Sequence, residues 1–191
     1  MKRMALSTAL ILTVGFAFAQ GGADQLKPGK ASGTIFDGHK KLVIKSCTAT
    51  WDQGKGHLTI DLFPFELTQA QTAEIAKFNN PFFVLMKQKS PDAQAWPDWC
   101  PYAKLQFDFT PGSSLLQTND VTYYHLNIHD WDKKQSTTSL NVPQPQVGKA
   151  LTLLSYDPKT TTPLKLAFVD TPDIGKDMTI DIQVEVVPQK K

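Results

Sequence analysis

Few residues in this chain are able to do chemistry. The histidines are His39, His57, His125 and His129, and the cysteines are Cys47 and Cys100. His125 and His129 share the stretch 121–131, VTYYHLNIHDW. Its alternation reads as a β-strand. On a helix, residues four apart lie on one face. On a strand they are about 13 Å apart at ~3.3 Å per residue. One metal ion with bonds near ~2 Å cannot take both. Whether His57 or His39 joins one of them across strands depends on strand register, which spacing leaves open. Outside the N-terminal segment only Met86 and Met178 offer a thioether, so a copper site lacks its usual ligands. The expectation is no metal and no cofactor.

Hydrolytic signatures are missing as well. The chain contains no Gly-x-Ser-x-Gly elbow and no His-Glu-x-x-His. His129 and Asp130 are adjacent, so on a strand they face opposite ways and do not pair. Asp130 and Asp132 read as turn residues. The chain is therefore expected to be no enzyme. An exported hydrolase would need a cleft where histidine and carboxylate converge.

Binding is what the 121–131 stretch offers. One face carries Tyr124, Leu126 and Ile128, which suits a core. The other carries Tyr123, His125, Asn127, His129 and Trp131, a row of aromatic and hydrogen-bonding side chains. Such a row suits stacking on sugar rings or holding a polypeptide. The blander reading, a sheet face half-covered by another sheet or loop, is favoured by the pattern alone. Trp96 and Trp99 sit in a proline-rich stretch beside Cys100. They read either as a cluster packed around a disulfide, the favoured reading, or as an extension of the binding surface.

Residues 1–19 have the pattern of a secretory signal peptide. Lys2 and Arg3 precede an apolar run, and Ala17 and Ala19 are the small residues before a cleavage site. The run is too short for a membrane-spanning helix, which needs about 20 residues. Cleavage removes Lys2 and Arg3, and with them the formal excess charge of +2. Arg3 is also the only arginine, so the mature chain lacks the guanidinium fork that recognises phosphate. A nucleic-acid partner is thus not expected, nor stable membrane insertion once the signal is gone. In a periplasmic or extracellular protein, two cysteines with no Cys-x-x-Cys read as one disulfide, Cys47–Cys100.

The elements that must position these residues are mostly strands. Residues 20–30 read as a flexible leader, 31–187 as a single β domain and 188–191 as a polar tail. Strands are expected at 31–36, 41–50, 57–63, 82–86, 103–109, 121–131, 137–142, 150–156, 164–169 and 178–187. In the second, Leu42 and Ile44 are set on one face and Val43, Cys47 and Ala49 on the other. One helix is expected at 68–78, with Thr68 as N-cap, Gln71 in the capping-box position and Ala70, Ala73, Ile75, Ala76 and Phe78 as its apolar positions. Short strands separated by frequent turn signals predict an all-β, mostly antiparallel fold. A β-sandwich is preferred, immunoglobulin-like in architecture only, because the immunoglobulin spacing of cysteines and tryptophan is missing. A closed β-barrel is the alternative. The functional expectation is an exported, non-catalytic module that binds a protein, peptide or glycan. The alternatives are a small-ligand or metal carrier on a barrel, then the hydrolase.

Overall fold

In a computed structural model the chain is described at residues 26–37, 41–78, 102–130, 136–143, 151–170 and 178–191, with backbone alone at 37, 78, 129, 130 and 136–143. The strands in chain order are β1 (Gly29–Asp37), β2 (Lys41–Asp52), β3 (His57–Phe63), β4 (Tyr102–Asp108), β5 (Leu116–Gln117), β6 (Tyr123–Asp130), β7 (Ser136–Pro143), β8 (Leu151–Tyr156), β9 (Leu164–Asp170), β10 (Met178–Val186) and β11 (Gln189–Lys190). A helix, α1 (Gln69–Phe78), lies between β3 and β4. The all-β, mostly antiparallel class read from the sequence holds. The expected strand at 82–86 falls outside the described residues.

Alternation makes most of these strands. In β10 every second residue from Met178 to Val186 is buried and those between are exposed. Leu58, Ile60 and Leu62 of β3, Leu105 and Phe107 of β4, and Tyr124, Leu126 and Ile128 of β6 point into the same core. β2 departs from this simple pattern. Leu42, Ile44, Cys47, Ala49 and Trp51 all belong to the main core, while Val43 is exposed. Cys47 and Ala49 therefore share the face of Leu42 and Ile44, not that of Val43 as the alternation predicted. Between Ile44 and Cys47 the inward pattern slips by one residue. The β1–β2 register shifts at the same level, between Lys30 and Gly33. An irregularity of this kind changes the phase of a period-two pattern.

The strands form one sheet in the order β5-β8-β9-β10-β1-β2-β3-β4-β6-β7, with β11 added parallel to β2. Every other described pairing is antiparallel, including that of β6 with β7. The sheet curls into a half-barrel. Phe168 of β9 meets Tyr124 of β6 edge-on at 4.9 Å and Phe107 of β4 at 6.0 Å. Five strands separate β9 from β6 along the path, so only curling brings these rings together. The chain reinforces the curl, because β5 lies between β4 and β6 in sequence yet pairs with β8 at the far end. Aromatic contacts of this geometry contribute about 0.5–1.5 kcal/mol each beyond area burial.

A smaller layer covers part of the outer, convex face. α1 begins with a capping box: Gln71 N donates to Thr68 Oγ1 at 3.3 Å, and Thr68 N donates back to Gln71 Oε1 at 2.8 Å. Ile75 packs with Leu26, Phe63, Leu67 and Tyr102 in a cluster separate from the main core. Ala70, Ala73 and Ala76, expected to contribute to the apolar face, are exposed. A helix lying on the outside of the sheet needs only a narrow line of contact, and Ile75 with the fully buried Thr72 supplies it.

Candidate functional site

The outward row of β6 lies on the uncurled, outer side of the sheet. Tyr123, His125 and Asn127 are half-buried, and His125 and Asn127 each lie between two inward neighbours. His129 continues the row by register, opposite Tyr102 on β4 and Thr137 on β7. Trp131, Trp96, Trp99, His39 and Cys100 lie outside the described residues, so the full length of the row and the pairing of Cys100 belong to the expectations above.

Antiparallel register adds residues that the row alone does not show. Asp108 of β4 stands opposite both His57 of β3 and Tyr123 of β6, and Gln106 stands opposite His125. The Asp108 carboxylate gathers this group. His57 Nδ1 lies 2.9 Å from Oδ1, Gln106 Nε2 donates to Oδ1 at 2.9 Å, and His125 Nε2 lies 3.3 Å from Oδ2. All three donate when His57 carries its proton on Nδ1 and His125 on Nε2. Tyr123 packs over His125 with ring centroids 4.5 Å apart and planes at 60°. The side chains of His57, Asp108 and His125 are 38, 24 and 33% exposed, so the group is ordered by its own contacts yet open to solvent.

The backbone beneath is pinned from both ends. Thr122 donates to the Asp108 carbonyl through its N–H at 2.8 Å and through Oγ1 at 3.0 Å. Phe109 N donates to the Gly56 carbonyl at 2.8 Å, which ties the β2–β3 turn to the end of β4. Gly56 has φ +69°, and a Cβ there would stand 2.3 Å from the Phe109 carbonyl oxygen. The turn that leads into His57 therefore requires glycine.

This arrangement holds polar groups ready for a ligand. A carboxylate satisfied by two imidazoles and a carboxamide fixes the rotamers of all four side chains. Among the described residues no group of three His, Cys, Asp or Glu is arranged to hold a metal ion. His57 Nδ1 and His125 Nε2 are both directed at the Asp108 carboxylate. Neither of the two principal clefts described is lined by His57, Asp108 or His125.

Sequence reasoning singled out Tyr123, His125 and Asn127 and left His57 as a cross-strand option. It missed Asp108 and Gln106. Both read only as the outward half of an alternating strand, and their role appears once register sets them beside β3 and β6. Cys47 is buried, its Sγ 3.6 Å from the Lys30 carbonyl oxygen, and burial followed by the nearby Asp61 charge pushes its thiol up to about 12. It is a poor nucleophile for that reason. No protein-family model matches the chain, and no curated protein and no solved structure matches it.

Proposed function

We propose that the chain is an exported, non-catalytic β module that binds glycan through the outer face of β3, β4 and β6. The observation that carries this reading is the Asp108 cluster, in which His57, Gln106 and His125 are held around one carboxylate beside the Tyr123 ring. Sugars are recognised by planar hydrogen-bonding groups set next to an aromatic face, and fixing those groups in advance lowers the ordering cost of binding.

A protein partner is less well matched. Protein interfaces centre on buried apolar or aromatic anchors. Among the described residues the exposed large apolar side chains are Val43, Leu115, Leu153 and Val169, none of them on the outward rows of β3, β4 or β6. Catalysis is less well matched too, since the histidine and carboxylate converge on an open sheet face and not in either principal cleft.

The test is co-sedimentation of the purified mature chain with insoluble polysaccharides: cellulose, chitin and peptidoglycan sacculi. Retention on at least one, lost in His125→Ala and in Tyr123→Ala with folding intact, is the expected result. Retention unchanged in both variants, or capture of an unstructured peptide library in place of any polysaccharide, overturns it.

A further inference from the structure

A cleft of about 480 Å³ lies between α1 and the outer face of β2, β3 and β4. Its floor is polar and its roof is apolar. Thr48, Asp61 and Lys104 stand side by side across three strands, and Thr50 and Thr59 form the next rung. Ile75 and Ala76 of α1, with Leu26, make the roof, and Gln189 and Lys191 close one side.

The floor is short of hydrogen-bond partners. Asp61 Oδ1 is buried without a hydrogen-bond partner, and Thr48, Thr50 and Thr59 line the cleft beside it. Lys104 Nζ is 3.8 Å from that oxygen, close enough for an ion pair but too long for a hydrogen bond. Thr48 is 1% exposed. Leaving the Asp61 oxygen unpaired and shut off from water costs about 1–3 kcal/mol. Burial also raises the Asp61 carboxyl above its ordinary value, against the pull of Lys104 and Lys191.

We infer that the cleft beneath α1 is a binding site for a small polyhydroxylated molecule of monosaccharide size. Hydroxyls both donate and accept, which is what threonine hydroxyls beside a carboxylate and an ammonium require. Neighbouring hydroxyls of one ligand bridge Asp61 and Lys104, donating to the first and accepting from the second. The C–H face of the ring lies against Ile75 and Ala76. A zwitterion fits less well, because Asp61 and Lys104 already neutralise each other at 3.8 Å. At ~30 Å³ for each water displaced, the volume suits a ligand on the order of a dozen non-hydrogen atoms with some water retained. This inference is independent of the Asp108 face: it uses other side chains and a different level of the sheet.

The experiment is native mass spectrometry and titration calorimetry of the mature chain with glucose, galactose, N-acetylglucosamine, glycerol and glycine betaine. Two variants report on the cleft: Thr48→Val, which removes one hydroxyl at constant shape, and Ala76→Trp, which fills the cleft from an exposed helix position. Binding of at least one of the three sugars, weakened tenfold or more in both variants and unchanged in His125→Ala, is the expected result. Should Thr48→Val fail to fold, Ala76→Trp alone decides. The inference is overturned if no sugar binds the folded chain, if sugar binding survives Ala76→Trp, or if glycine betaine binds and sugars do not. Loss of polysaccharide retention in His125→Ala with cleft binding intact leaves this site standing and bears only on the face.

Discussion

Tyr124 and Asp170 are joined across the curl of the sheet: the phenol of β6 donates a hydrogen bond to Asp170 Oδ2 at the end of β9. The Tyr124 ring is fully buried and lies edge-on to Phe168, so one side chain closes the half-barrel by packing and by polar contact together. Tyr124→Phe keeps the ring and removes the hydroxyl. A hydrogen bond to a charged group contributes about 1.5–3 kcal/mol, so urea unfolding should show a loss in that range. Phe168→Ala should cost more, about 3–5 kcal/mol, because it also leaves a cavity. Equal midpoints for wild type and Tyr124→Phe would mean that the polar tie is dispensable.

Backbone geometry makes a second prediction, at Gly33. Its φ is +119°, and a Cβ there would stand 2.0 Å from the Asp181 carbonyl oxygen of β10. It sits where the β1–β2 register shifts. Gly33→Ala must both strain the backbone and push two central strands apart. A loss of about 2 kcal/mol or more is expected, read as a lowered midpoint in thermal unfolding. An unchanged melting temperature would show that β1 slips to a regular register at little cost.

Three phenols should resist alkali. Burial, first of all, raises Tyr102, Tyr124 and Tyr156, helped by the charges of Asp61, Asp170 and Asp157 respectively. The fold favours their neutral forms. Their contribution to stability is complete below the ordinary tyrosine value of about 10 and is lost as pH rises toward their raised values. Near-ultraviolet phenolate absorbance should therefore show these three ionising only together with unfolding. Smooth, reversible ionisation of all tyrosines near pH 10 in the folded chain would contradict the burial described.

Much of the fold was legible because β3, β4, β6 and β10 each obey a period of two, with the inward residues buried as their pattern predicts. The helix was legible through the Thr68–Gln71 capping box. The faces within β2 were not, since one slipped residue between Ile44 and Cys47 reverses the parity of all that follows. The site was half legible. Tyr123 and His125 declare themselves by lying in one short run, whereas His57 and Asp108 are 51 residues apart and meet only through register. The cleft beneath α1 was illegible, because Thr48, Thr50 and Thr59 look like the ordinary outward residues of exposed strands until a helix lies over them.

Asp61 makes the sharpest test of that outer layer. Its carboxyl is raised chiefly by burial, with Lys104 and Lys191 opposing. A raised carboxyl means that the fold prefers the protonated form. Ionisation then lowers stability as pH rises from the ordinary value near 4 through the raised one, and the deficit stays constant above it. Asparagine mimics the protonated acid at every pH. Asp61→Asn should thus match wild type at pH 3 and exceed it at pH 7, by about 1 kcal/mol or more, the scale on which neutral replacements of poorly solvated ion pairs act. Lys104, with 36% of its side chain exposed, keeps access to water when its partner is neutral. Urea unfolding of both chains at the two pH values measures the difference directly. If the variant is instead the less stable at pH 7, the Asp61–Lys104 attraction outweighs desolvation, and the floor of the cleft is a satisfied ion pair rather than a surface short of partners.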